Sequence, residues 1–316
     1  MTLDSLLARP EKRRPGTGEQ LRRLGVDIGY EDRSVPGPPG GPDVDVTVLR
    51  PRDQSEAAPI LINLHGGGLI TGHRSQDTAR LVRFVDDLGF VVVNVEYRLA
   101  PAHPFPSAVE DAYAALVWTA SEARGLGGDP GRIVLMGSSA GGGLAAGTAL
   151  LARDRGGPAV AGLLLLYPML DDRNQTVSSH QVTLATWTRS DNELAWRCVL
   201  GDSADGPGVS PYAAPARAVS YAGLPPAYVE AGTADIFRDE DVAFASRAWQ
   251  DGVPVHLTVF GGTPHGHDVL VSASPFASAA YDSRTWWLRT FLGRPGAIDR
   301  LPHTVVNAVR EYPQER

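Results

Sequence analysis

The 316-residue chain has little cysteine and no excess of positive charge, and both absences narrow the protein classes to consider. Cys198 is its one cysteine, so no intrachain disulfide can form and a cysteine-based metal site is not expected. The formal net charge is -7 at pH 7, whereas nucleic acids and anionic membranes bind clustered basic surfaces. The composition therefore predicts neither nucleic acid nor membrane as the main partner.

Long apolar runs are also missing. No run approaches the ~18 residues that a membrane-spanning helix needs. Near the amino terminus, scattered leucines are followed by charges at 11–14, and no apolar segment follows the arginine pair at 13–14. Neither a signal peptide nor a twin-arginine export signal is predicted. We therefore expect a cytoplasmic location.

Apolar runs with the length of buried strands alternate along the chain with runs of helical spacing. This alternation is typical of βαβ units, and it predicts an α/β fold with a mostly parallel sheet and helices on both faces. Strands are predicted at 44–49, 59–64, 90–95, 132–136, 160–167, 226–231 and 253–260, and helices at 76–88, 107–123, 140–153, 238–251 and 276–292.

Three regions flank or interrupt this pattern. Residues 1–43 are polar and rich in Arg, Gly and Pro, and we predict a short helical arm followed by a loop. Residues 169–222 form an insert of a length typical of lids and binding elements. We expect an amino-terminal arm or cap (1–43), a core (44–293) whose insert completes the cap, and a carboxyl-terminal tail (294–316).

The stretch GSSAGGG at 137–143 follows a predicted strand and precedes a predicted helix. It contains the pattern G-x-S-x-G, in which a serine on a sharp strand-to-helix turn is exposed as a nucleophile and small neighbours relieve crowding. A phosphate-binding turn and a purely structural turn are the alternatives. The glycine fingerprint of a phosphate site, however, would begin after the turn, inside the predicted helix. We therefore interpret Ser139 as a candidate nucleophile.

A second glycine run, LHGGG at 64–68, ends the predicted strand 59–64. Backbone N–H groups of such a run can stabilise a developing oxyanion, because without Cβ atoms the chain approaches the substrate closely. His65 precedes Ser139, whereas serine hydrolases of this architecture carry the acid and then the histidine after the serine. We therefore expect a structural role for His65.

Asp235 is the acid that best fits a position after Ser139. It follows the predicted strand 226–231, at the edge where active sites of parallel sheets lie. The acids at 171–172 open the insert, and those at 239–241 begin a helix, where they favour the helix N-terminus.

The base must be a histidine in the last part of the chain. His180 lies in the insert and His256 within a predicted strand. His265 and His267 both lie in the loop after strand 253–260, and position alone leaves both open.

Five motifs together resemble the hormone-sensitive-lipase-like branch of the α/β-hydrolase family, the bacterial carboxylesterases. In family order they are HGGG (65–68), YRLAPAHPFPSAVED (97–111), GSSAGGG (137–143), DIFRDE (235–240) and HGH (265–267). The insert sequences LDDRNQTVS (170–178) and SPYAAPARA (210–218) are similar to a subgroup that includes a heroin-hydrolysing esterase. The resemblance, which runs from about residue 44 to residue 292, implies an α/β-hydrolase fold with an eight-stranded sheet.

When the family's functional residues are carried over to the matching positions, the resemblance implies that Ser139 is the nucleophile and Asp235 the acid. His265 would be the base, since the first residue of the family's usual His-Gly-Phe motif is catalytic. Three backbone N–H groups would form the oxyanion hole, those of Gly67, Gly68 and Ala140. The implied reaction is ester hydrolysis through an acyl-enzyme intermediate, with no metal or cofactor. A capped pocket bounded by aromatic side chains is expected to favour short-chain esters of small molecules.

Three positions depart from the family's usual residues. Ser138 stands where an acidic residue is usual, Leu69 where an aromatic often follows the glycines, and His267 where phenylalanine is usual. Together with Trp187 of the insert, they are expected to line the substrate pocket. The substrate stays open, as does a homodimeric assembly. Two other functions stay open as well: a natural-product tailoring enzyme that uses the same triad for acyl transfer or cyclisation to a lactone, and a non-catalytic ligand-binding relative.

Overall fold

The computed structural model describes residues 16–53, 56–182 and 186–292. These residues build an eight-stranded sheet. The strands are β1 (Gly29–Val35), β2 (Val44–Arg50), β3 (Ala58–Leu64), β4 (Val91–Glu96), β5 (Gly128–Ser138), β6 (Gly162–Leu166), β7 (Ala227–Ala234) and β8 (Val255–Pro264). Their order in the sheet is β1-β2-β4-β3-β5-β6-β7-β8. β2 pairs antiparallel with β1 and β4, and the pairs from β4 to β8 are parallel.

The central strands consist of apolar runs because both faces of the sheet are covered. All five residues of β6 are buried. Successive side chains point to opposite faces, so Ile60 and Ile62 of β3 pack into one hydrophobic cluster and Leu61 into another.

Helices cover both clusters, as the alternation of strands and helices predicted. The helices are α1 (Thr17–Leu24), α2 (Thr78–Leu88), α3 (Ser107–Glu122), α4 (Ala140–Arg155), α5 (Val177–Gln181), α6 (Arg189–Leu200), α7 (Arg238–Gln250), α8 (His267–Leu270) and α9 (Pro275–Leu292). α3, α4 and α7 contribute side chains to the cluster on one face, and α2 and α9 to the cluster on the other. The predicted fold class is confirmed.

β1 is a strand where a loop of the arm was predicted. Its side chains alternate between half-buried and exposed, as suits an edge strand that pairs with β2 and with no other strand of the described residues. The sequence GYEDRSV is mostly polar, so a search for apolar runs does not find it. Residues 1–15 of the predicted arm and the predicted tail at 294–316 lie outside the described residues.

The predicted insert at 169–222 lies between the neighbouring strands β6 and β7. It contains α5, α6 and two short 3₁₀ helices, Gly201–Ser203 and Pro215–Arg217. α6 begins with a capping box, in which the side chains of Thr188 and Asp191 each accept a hydrogen bond from the other residue's backbone N–H. Among the described helices, none is both long and apolar enough to cross a membrane.

Candidate active site

Ser139 occupies the turn between β5 and α4, where its backbone adopts φ 57° and ψ -125°. A non-glycine residue with positive φ is uncommon and strained. The turn is tight enough to require glycine on both sides. A Cβ atom on Gly137 would lie 2.0 Å from the carbonyl oxygen of Gly141, and a Cβ on Gly141 would lie 2.0 Å from that of Leu64. The G-x-S-x-G pattern therefore has a steric cause.

Asp235, His265 and Ser139 form a continuous hydrogen-bonded chain. The Nδ1 atom of His265 lies 2.8 Å from Oδ2 of Asp235, and its Nε2 atom lies 2.9 Å from the Ser139 hydroxyl. With the carboxylate as acceptor, the ring proton belongs on Nδ1, which leaves Nε2 free to accept from the hydroxyl. The other oxygen of Asp235 accepts from the backbone N–H of Phe237 at 3.0 Å. This arrangement can take a proton from the serine oxygen.

The chain of hydrogen bonds is largely enclosed. Asp235 is fully buried, and Ser139 and His265 are each 8% exposed. The rings of Tyr167 and Phe237 meet the imidazole of His265 in edge contacts, with ring centroids 4.9 and 5.1 Å away. Neither aromatic residue was predicted to be part of the site: Tyr167 ends an ordinary apolar run, and Phe237 lies in the DIFRDE motif, where only Asp235 was given a role.

The glycine run after β3 lies directly against the serine turn. A Cβ atom on Gly66 would lie 3.3 Å from Cβ of Ser139. Gly67 and Gly68 have φ of 124° and 64°, and a Cβ on Gly67 would lie 2.1 Å from the carbonyl oxygen of Thr71. Glycine is therefore required here, and the backbone of this run lies beside Ser139.

His65 and Gln76 both hydrogen-bond the carbonyl oxygen of Gly66. The His65 Nδ1 atom lies 2.9 Å from that oxygen, and the Gln76 side-chain amide donates to it at 3.0 Å. A trans peptide is planar, so holding this carbonyl fixes the N–H of Gly67 in the opposite direction. His65 is also stacked on Tyr97 with ring centroids 4.2 Å apart. Gln76 was not among the predicted site residues, because it lies ten positions beyond Gly66 and outside every motif.

The four predicted pocket residues lie in different surroundings. Leu69 has φ 61° and borders a small apolar cavity. Trp187 packs over the glycine run, since a Cβ on Gly68 would lie 2.5 Å from two of its ring atoms. Ser138 is 6% exposed and immediately precedes the serine turn. For these three, as for His267, a role in the pocket stays a prediction.

The side chain of His267, two residues after His265, is buried. Its ring is 2% exposed and packs against Tyr167 and Phe260, with centroids 5.7 and 5.3 Å away. Its Nε2 atom lies 3.8 Å from a carboxylate oxygen of Glu230. Burial lowers the pKa of His267 below the usual histidine value. The imidazole is therefore neutral at pH 7.

Three of the acids that compete with Asp235 in the sequence form ion pairs elsewhere. Asp171 pairs with Arg173 at 2.7 Å and Asp172 with Arg217 at 2.7 Å. Asp239, at the start of α7, pairs with Arg238 at 2.7 Å. The chain of hydrogen bonds to Ser139 thus uses Asp235.

Comparisons with known proteins agree with this geometry. A family model described as alpha/beta hydrolase fold matches residues 61–268. Carboxylesterase NlhH of Mycobacterium tuberculosis is 35% identical over 259 residues, which cover 80% of each chain. Esterase LipI of the same organism is 32% identical over 301 residues, covering 85% of this chain and 91% of that protein. A solved structure of a bacterial heroin esterase superposes with a TM-score of 0.81 and 38% identity, covering 92% of this chain and 98% of that one.

The chain belongs to the α/β-hydrolase family. Within that family, the predicted place in the hormone-sensitive-lipase-like branch of bacterial carboxylesterases is confirmed, and the enzyme class is that of ester hydrolases.

Proposed function

We propose that this protein is a serine carboxylesterase that hydrolyses short-chain acyl esters of small molecules through an acyl-enzyme intermediate. The observation that carries the proposal is the hydrogen-bonded chain from Asp235 through His265 to Ser139, with distances of 2.8 and 2.9 Å, beside a glycine run. Nucleophile, base and orienting acid within hydrogen-bond reach of one another are the signature of an activated serine.

In the acylation half-reaction, the Ser139 oxygen attacks the ester carbonyl while Nε2 of His265 takes the hydroxyl proton. The negative charge that develops on the carbonyl oxygen is stabilised by the backbone N–H groups of Gly67, Gly68 and Ala140. Asp235 keeps the imidazole in the required tautomer and stabilises the imidazolium. When the tetrahedral intermediate collapses, the bond to the alcohol oxygen breaks and His265 returns the proton to that oxygen.

Deacylation repeats these steps with water. His265 removes a proton from the water that attacks the acyl carbonyl, and then returns a proton to Ser139. The products are a carboxylic acid and the free enzyme, so the cycle is balanced by one water molecule. No metal or cofactor takes part in the proposed cycle.

A preference for short acyl chains is supported by the size of the apolar space beside the glycine run. Leu69 and Leu144 of α4 border a cavity of about 20 Å³, together with Phe105, Val199 and Tyr212. This volume holds about one water molecule, and we propose that it receives the end of a short acyl chain.

The cap is part of the proposal, formed by the insert at 169–222 and the predicted arm at 1–43, of which β1 (Gly29–Val35) belongs to the core sheet instead. The contact of Trp187 with the backbone at Gly68 supports a pocket wall supplied by the insert. We expect Trp187→Ala to change the ratio of kcat/KM for acetyl and hexanoyl esters. An unchanged ratio in a folded variant would mean that this tryptophan only packs on the core.

The test of the function supplies p-nitrophenyl acetate, butyrate and decanoate at matched concentrations, with Ser139→Ala as the inactive control. A short-chain esterase turns over the first two esters repeatedly and the third poorly. A stoichiometric burst without steady-state turnover on every ester would instead favour the tailoring alternative, in which water is not the acceptor. Absence of both burst and turnover would favour a ligand-binding protein.

A homodimer and a cytoplasmic location belong to the same proposal. β8 is the last strand of the sheet, and Trp249, Val259 and Trp286 near it are exposed apolar side chains. Exposed apolar side chains at a sheet edge are a frequent basis of association. Light scattering on the purified protein distinguishes dimer from monomer.

A further inference from the structure

The segment that follows β6 contacts both the candidate nucleophile and the candidate base. The backbone N–H of Ser139 donates to the carbonyl of Leu166 at 2.8 Å, and the N–H of Met169 donates to the carbonyl of Ser139 at 2.9 Å. Between them, Tyr167 has φ 39°, a conformation that non-glycine residues rarely adopt. Its ring meets the imidazole of His265 at a centroid distance of 4.9 Å. One short segment therefore braces the serine through its backbone and the histidine through a side chain.

The hydroxyl of Tyr167 is fixed from two directions. It donates to the Asp268 carboxylate at 2.7 Å and accepts from the Arg80 guanidinium at 3.0 Å. Asp268 lies in α8, three residues beyond His265, so the phenol is tied to the loop that carries the histidine. Tyr167 is 2% exposed, and burial raises the pKa of its hydroxyl well above the usual value. The phenol therefore stays protonated and remains a donor.

Asp268 is itself held by two arginines, of which Arg284 is buried and Arg80 is half-buried. Its Oδ2 atom lies 2.7 Å from Arg284 of α9 and 3.2 Å from Arg80 of α2. Burial acts to raise the pKa of Asp268, but these two guanidinium groups outweigh burial and lower it well below the usual value. Arg284 also forms a two-pronged contact with Glu230 of β7. Tyr167, which directly follows β6, is thus linked to α2 and α8 by its hydroxyl group. Through Asp268 and Arg284 it is also linked to α9 and β7.

We propose that Tyr167 is a positioning residue for catalysis: its ring, anchored by Asp268 and Arg80, holds the His265 imidazole in line between Asp235 and Ser139. The inference rests on the proposed function, in which His265 is the base. Without the ring, the imidazole gains freedom to turn away from Ser139. A misplacement of about 1 Å can reduce turnover roughly 100-fold while leaving substrate affinity nearly unchanged.

Three variants test the proposal: Tyr167→Leu, Tyr167→Phe and the control Tyr228→Phe. Tyr228 is fully buried in β7, and its hydroxyl donates to Glu230 at 3.1 Å, so the control removes a hydroxyl from the same network. Its ring contacts are with His256 and Trp287. A purely structural role would affect Tyr228→Phe and Tyr167→Phe alike.

We expect kcat to fall about 100-fold in Tyr167→Leu, with KM within about twofold of the wild-type value. Tyr167→Phe keeps the ring and loses its anchor, so its kcat should fall only roughly 2- to 10-fold. Tyr228→Phe should match the wild type. In NMR spectra, the far-downfield signal of the His265 Nδ1 proton should persist in Tyr228→Phe and broaden or disappear in Tyr167→Leu.

Wild-type kcat in a folded Tyr167→Leu variant would overturn the proposal. If Tyr167→Leu does not fold, Tyr167→Phe decides: a lower kcat than that of Tyr228→Phe supports the proposal, and an equal one overturns it. Labelling of Ser139 by a fluorophosphonate shows whether a negative result concerns the role of Tyr167 alone or the proposed function as a whole. A wild-type protein that is neither labelled nor active overturns both.

Discussion

Asp241 offers a quantitative test of how burial controls ionisation next to the candidate site. It lies in α7, fully buried, and neither carboxylate oxygen has a hydrogen-bond partner among the described residues. Burial, and after it the neighbouring carboxylates of Glu240, Asp235 and Glu230, raise the pKa of Asp241 well above the usual value. We expect Asp241→Ala to change the dependence of stability on pH.

Proton linkage determines whether Asp241 raises or lowers the free energy of unfolding as the pH increases. Above about pH 3.9 the unfolded chain releases the Asp241 proton, whereas the folded protein keeps it until its own higher pKa is reached. In this window the folded state binds one more proton than the unfolded state. The free energy of unfolding should therefore fall by about 1.4 kcal/mol for each pH unit gained, from this group alone. Asp241→Ala removes that contribution, and any loss of packing is independent of pH.

Urea unfolding of both proteins in steps of pH above about 4.5 measures the difference in slope. Asp239→Ala is the matched control, two residues away on the same helix. Partial burial acts to raise the pKa of Asp239, but its bonds with Arg238 and Ser178 lower it overall. The contribution of the ionised Asp239 to stability is therefore present above its pKa in the unfolded chain. It is lost as the pH falls through the lower pKa of Asp239 in the folded protein. A slope in Asp241→Ala equal to that of the wild type would refute the reasoning.

The remaining predictions concern activity. Ser139→Ala should abolish turnover and fluorophosphonate labelling while Ser138→Ala only reduces the rate; labelling that survives in Ser139→Ala would contradict the nucleophile. His265→Ala should lose orders of magnitude in kcat, leaving at most the ~10³–10⁴-fold acceleration over water that oxyanion hole and binding supply, and His267→Ala should lose much less. Equal losses in the two variants would mean that the base is assigned wrongly. Gln76→Met removes one of two bonds that orient the Gly66 carbonyl, so kcat should fall roughly 2- to 10-fold at nearly constant KM; a raised KM with unchanged kcat would indicate a binding role instead.

The parts of the fold and site that depend on local pattern could be predicted from the sequence. The turn at Ser139 requires glycines two positions away on each side, so five consecutive residues are enough to predict it. Asp235 could be identified because it lies just after the end of a predicted buried strand. His265 could not be separated from His267 by position, and only the family resemblance favoured it.

The parts that depend on contacts between distant segments could not be predicted. Tyr167 and Asp268 are 101 residues apart, and no spacing rule connects them. Strand β1 was missed for a different reason, since an edge strand with polar side chains lacks the apolar run by which the other strands were found.

The insert at 169–222 is attached to the sheet at two neighbouring strands. The insert leaves the sheet after β6 and returns at β7, its immediate neighbour, so its two ends are fixed side by side by strand pairing. Ser139, Asp235 and His265 all lie outside it, at 139, 235 and 265. Grafting a different insert between β6 and β7, with the bond from the Met169 N–H to the Ser139 carbonyl kept, should therefore change the proposed pocket wall and leave the reactive groups in place.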